Sequence, residues 1–181
     1  MRSRLATRSA RLVLTALVAA ALTAAATTTA LAGSGSTTDA AQKDGWGQVC
    51  GTTDLTFKVS EETQAGGYFL VAAKAKPGIT CYLEGTIPSA SFGSAPDTQA
   101  SPAEQAVSDT IKLSGSATAY AGINPKSTNT NYGKELGQLI IAVVGDESNA
   151  VAFKLPRTVL VDEPITTNWH ANPADAVPFT D

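Results

Sequence analysis

Apolar and polar residues alternate along most of this chain with a period of two. From Leu55 to Val59 the pattern Leu-Thr-Phe-Lys-Val is strict, the mark of a strand with one buried face. A polar, glycine-ended connection from Glu61 to Gly67 leads into Tyr68-Phe69-Leu70-Val71-Ala72-Ala73. That run is apolar on both faces, which predicts a central strand covered on each side. Pro77 presets φ for the first corner of a tight turn, and Gly78 accepts the positive φ of the second corner of a type II turn. Beyond it Ile79, Cys81 and Leu83 share one face and Thr80, Tyr82 and Glu84 the other, so Cys81 points inward.

Ile87 to Phe92 reads as a weaker fourth strand. Gly93 to Glu104 reads as a loop, with a helical turn at Pro102 to Gln105 capped by Ser101. Ile111 to Leu113 and Ala117 to Ile123 are two strands around Ser114-Gly115, and Asn124 to Gly137 is a long, polar, exposed loop. A buried strand over Gln138 to Val144, an acidic turn over Gly145 to Asn149, and strands at Ala150 to Leu155 and Thr158 to Val161 follow. Phe57, Phe69 and Phe153 fall on inward faces. From Pro164 the chain, with Trp169, His170, Pro173 and Pro178, reads as irregular surface chain with a frayed end. About eight short strands without βαβ alternation predict an all-β, antiparallel sandwich.

Ahead of this domain, Arg2, Arg4, Arg8 and Arg11 precede an apolar run from Leu12 to Ala26, and Ala30-Leu31-Ala32 supplies a small-x-small cleavage pattern. Residues 1–32 therefore read as a signal peptide, 33–45 as a disordered linker, and 46–181 as the domain, secreted and extracellular. No cysteine at the cleavage point supports lipid attachment, and no adjacent arginine pair supports twin-arginine export. Cleavage there removes four of the 13 basic residues and none of the 16 acidic ones, leaving a net charge of −7. An acidic field of that kind disfavours nucleic acid and anionic membrane surfaces as partners. In an oxidising compartment Cys50 and Cys81, the only two cysteines, read as a disulfide closing a loop of about 30 residues. Two separate small core residues are the alternative.

The inventory for catalysis is thin. His170 is the single histidine, no Gly-x-Ser-x-Gly elbow is present, and a zinc site would consume the cysteines. Glu61-Glu62, Asp146-Glu147 and Asp162-Glu163 pair carboxylates, but neighbours on a strand face opposite ways. Gly66-Gly67 reads as turn geometry, and the turn from Asp146 to Asn149 offers calcium some oxygens without an EF-hand pattern. The one stretch with room for recognition is the polar loop. There Asn129, Asn131 and Tyr132 offer amides and a ring, and Lys126 and Lys134 add positive charge; an ordinary solvated connection between strands is the alternative.

Cys50-x-x-x-Asp54-Leu55, Cys81-Tyr82-Leu83-Glu84-Gly85 with Pro88 beyond, and Ile111-x-Leu113-Ser114-Gly115 leading into Ala117 to Ile123 together resemble the secreted actinobacterial domain of unknown function 4232 family. The resemblance runs from about Val49 to the end. It implies an immunoglobulin-like β-sandwich with one such disulfide, often tethered or lipid-anchored, and no established activity. This chain departs from relatives that carry an Asn-containing turn before the second cysteine or a second cysteine pair. The expectation is a non-enzymatic module with no catalytic residue, metal or cofactor, contacting a cell-surface polysaccharide or protein. The alternative is a small secreted hydrolase using carboxylates.

Overall fold

The computed structural model describes residues 42–43 and 47–179. The expected signal segment, Trp46 and all of the expected linker except Gln42–Lys43 lie outside them. Gln42–Lys43 form β1, antiparallel to β2 (Gly47–Gln48). Then come β3 (Leu55–Glu62), β4 (Tyr68–Ala75), β5 (Cys81–Gly85), β6 (Ser89–Phe92), β7 (Ser101–Pro102) and β8 (Ser108–Leu113). They are followed by β9 (Ala119–Asn124), β10 (Lys134–Ala142), β11 (Val151–Val161) and β12 (Ile165–Thr166). The described residues contain no α-helix, and eight of these strands span four residues or more.

The strands form a five-stranded sheet ordered β3-β4-β9-β12-β7, a three-stranded sheet ordered β11-β10-β6, and the pair β5-β8. Inward faces of all three meet in one core, from Phe57, Val71, Ala121 and Ile123 through Cys81, Leu83 and Leu113 to Leu139 and Ile141. Phe69 of β4 reaches Phe92 of β6 across the layers, ring centroids 6.0 Å apart. The type II turn is present, with Ile79 N–H donating to Lys76 C=O at 3.0 Å and Gly78 at φ 82°. It delivers Cys81 inward, where it is bonded to Cys50 with Cα atoms 4.9 Å apart.

Several expectations give way to tertiary pairing. The sheet is not purely antiparallel, because β12 runs parallel to β7. No helical turn forms at Pro102 to Gln105: Ser101 and Ala103 donate their N–H groups to Pro164 and Thr166. The proline-started turn lies instead at Pro96–Thr98. Ala150 to Leu155 and Thr158 to Val161 are one strand, β11, broken by a bulge around Pro156, where the missing N–H costs the ladder nothing. Phe153 is only half-buried.

The largest difference is at the C-terminal end, read as surface chain. Ile165–Thr166 sit inside the five-stranded sheet, and Trp169, 1 % exposed, packs on Phe57 with ring centroids 6.4 Å apart. His170 forms a bridge with Tyr120 of β9, its N–H and C=O each bonded at 2.8 Å. The chain then crosses the outer face of β4 and β9. A Cβ added at Gly122 would stand 2.1 Å from the Ala176 carbonyl oxygen, so only a hydrogen fits there. This segment is why Leu70 and Ala72, on the outer face of β4, are half-buried.

Candidate functional site

At one end of the sheets, β9 passes into β10 through residues 125–133. The expected loop of Asn124 to Gly137 is thus shorter at both ends: Asn124 closes β9 and is buried, and Lys134 opens β10 opposite Val161. Its base is locked by Asp162. The hydroxyls of Thr128 and Thr130 donate to Asp162 Oδ2, and the Lys126 ammonium lies 3.5 Å from the same oxygen. The main chain adds Ser127 N–H to Asp162 C=O at 3.2 Å and Asp162 N–H to Pro125 C=O at 3.0 Å. The donors, the Thr128 hydroxyl foremost, hold the Asp162 carboxyl below the usual carboxylate range. Above this base Asn129 and Asn131 are exposed and Tyr132 is 80 % exposed.

The two lysines do not supply free positive charge. Lys126 Nζ turns into its own loop, 2.7 Å from Thr128 C=O and 2.6 Å from Thr128 Oγ1. Lys134 Nζ is paired with Asp97, 2.7 Å from Oδ1, which lowers that carboxyl's pKa in turn. Beside the loop lies a cleft of about 240 Å³ lined by Glu61, Tyr68, Asn124, Lys126, Thr128 and Arg157. Across it Arg157 Nε donates to Glu61 Oε1 at 2.9 Å.

A second cluster surrounds the single histidine. His170 Nε2 is 3.0 Å from Glu104 Oε1, its Nδ1 is 3.4 Å from Ser108 Oγ, and Glu104 Oε2 also accepts the Asn168 N–H at 2.8 Å. Ser108, His170 and Glu104 are thus in line. Among the described residues no group of three or more His, Cys, Asp or Glu side chains is placed to hold a metal ion. At the acidic turn, Asp146 Oδ1 accepts the Asn149 amide at 2.5 Å and Oδ2 the Thr52 N–H at 2.7 Å, and these bonds, that from Asn149 foremost, lower its pKa. Its oxygens brace the start of β3 to the β10–β11 turn.

Residues 50–173, from the first cysteine of the disulfide, match a family model described as Domain of unknown function (DUF4232). The chain belongs to this family. No curated protein and no solved structure matches it. In this DUF4232 domain Asn129, Asn131 and Tyr132 stand exposed at the tip of the loop, Lys126 is drawn into its base, and Lys134 lies in β10. Asp162, Thr128 and Thr130 were not legible as a unit. Asp162-Glu163 registers in the sequence as a carboxylate pair, yet nothing local says that it reaches back over 30 residues to two threonines. Among the described residues no helix is long and apolar enough to cross a membrane.

Proposed function

We propose that the protein is a secreted, immunoglobulin-like β-sandwich that acts by contact outside the cell, without catalysis. Its recognition surface would be the 125–133 loop, facing a cell-envelope polysaccharide or protein. The observation that carries this reading is the contrast within the loop: a base fastened by Asp162 beneath a tip where Asn129, Asn131 and Tyr132 are exposed. A held tip loses less conformational entropy on binding than a loose one, and a ring flanked by amides suits a sugar face. Export accords with a buried disulfide and with the basic, then apolar, start of the chain. Cosedimentation with purified cell wall tests it. The protein should pellet with wall material, and a variant with Asn131→Ala and Tyr132→Ala should stay in solution while melting at the same temperature. Equal pelleting by both would remove the loop from the reading.

A second reading, a small secreted hydrolase, has in its favour the Ser108–His170–Glu104 line. Against it, the Ser108 contact is long at 3.4 Å, and the Glu104 carboxylate is shared with the Asn168 N–H, while the main chain of His170 is bonded to Tyr120. We read the trio as a clasp on the C-terminal segment. A fluorophosphonate probe that labelled Ser108 would carry the hydrolase reading instead.

A further inference from the structure

A sheet edge exposes unpaired N–H and C=O groups that invite another strand, and folded proteins blunt such edges by shortness, bulges, proline or cover. Most edges here are blunted. In the five-stranded sheet β7 has two residues, and in the three-stranded sheet β6 is bridged at Ser91 by Gln99 while Ala100 N–H donates to Ala90 C=O. β11 carries Pro156 and its bulge, β5 is met by Val49, and the β5–β8 ladder slips register at Asp109–Thr110.

β3 is neither short, bulged, interrupted by proline nor covered by another strand among the described residues, and the blunting feature it does carry is charge, Lys58 above all. It pairs with β4 without a bulge over all eight residues, Leu55↔Ala75 through Glu62↔Tyr68, and no strand lies on its other side among the described residues. Its outer face carries Thr56, Lys58, Ser60 and Glu62, of which Lys58 is exposed and has no ion-pair partner among the described residues. Glu61, on the opposite face, is engaged by Arg157.

We propose that the β3 edge is the interface for a second copy of this chain, joined antiparallel into one continuous ten-stranded sheet. The charges choose the register. Cross-strand neighbours must share a face, so the partner positions sum to an even number. A two-fold axis at Ser60 sets Lys58 opposite Glu62 of the second copy, and the reverse, giving two opposite-charge pairs in an isologous contact. An axis at Lys58 would oppose the two lysines, and parallel in-register pairing would stack like charges.

The test is sedimentation velocity on the full chain with charge reversal at exposed Lys58 and half-buried Glu62, both on the outer face of β3 away from the core. The wild type should form a concentration-dependent dimer. Lys58→Glu should weaken it about tenfold or more, and Glu62→Lys likewise, since each turns two attractive pairs repulsive. The combined Lys58→Glu, Glu62→Lys variant should dimerise like the wild type. Circular dichroism of each variant confirms the fold. A wild type that stays monomeric to about 1 mM overturns the proposal, whether or not another protein is found on β3. So does a dimer that either single reversal leaves intact, or one that the double reversal fails to restore.

Discussion

Removing the Cys50–Cys81 bond, by reduction or by changing both residues to alanine, should destabilise the domain through its unfolded state. The cysteines are 31 residues apart in sequence. In the chain-entropy model, closing a loop of that length lowers the entropy of the unfolded chain enough to stabilise the fold by about 4 kcal/mol. That is a large share of the 5–15 kcal/mol typical of a domain. At about 3–5 °C per kcal/mol for a domain of this size, the melting temperature should fall by roughly 12–20 °C. The bond also ties Cys50, ahead of β3, to the middle of the core, where the two residues are 2 % and 0 % exposed. Thiol reagents should therefore not reach reduced cysteines until the domain opens. Urea unfolding of oxidised wild type, reduced wild type and the double alanine variant separates the contributions. The reduced protein loses only the cross-link, and the alanine variant loses the packing of two sulfur atoms as well. The slope of the transition should steepen in both, because an uncrosslinked unfolded chain exposes more surface. If reduced wild type unfolds within about 1 kcal/mol of the oxidised form, the loop-closure reasoning fails for this protein.

Two further expectations follow from packing and charge. Trp169→Ala should cost about 3–5 kcal/mol, because the ring is 1 % exposed against Phe57; a loss below about 1 kcal/mol in denaturant unfolding would show the C-terminal segment to be peripheral. Asp162 has a lowered folded-state pKa, so its contribution is present above the unfolded value near pH 4 and is lost as pH falls through the folded value; NMR order parameters of residues 125–133 should drop there, and at pH 7 in Asp162→Ala, and unchanged values would refute the latch.

Strand identity was legible wherever period-2 alternation met turn chemistry. Leu55 to Val59, the Pro77-Gly78 turn and the inward Cys81 all follow from local backbone preference and one buried face, and each stands in the structure as read. The disulfide was legible by inventory, since two cysteines admit one pair. Strands and turns that depend on neighbours distant in sequence were not. Ser101–Pro102 and Ile165–Thr166 carry too few residues to show a period, and they become strands only by pairing with each other and with β9. Trp169 sits in a proline-rich segment with no alternation, yet the largest core side chain comes from there, because space between the layers, not local propensity, decides its burial.

The candidate site divides the same way. Polarity alone marks the loop as exposed, because buried amides and hydroxyls without partners are costly. Polarity cannot say that Asp162 holds Thr128 and Thr130, or that Lys126 and Lys134 are already neutralised by acids, since those pairings span 32 to 37 positions and exist only once β6, β9, β10 and β11 are aligned. Sequence by itself determined which segments can be strands and which cysteines can pair, both consequences of short-range geometry and composition. Tertiary structure decided which charges are spent, which edge is left open and where the C-terminal segment lies, because each depends on the three-dimensional proximity of residues far apart in the chain.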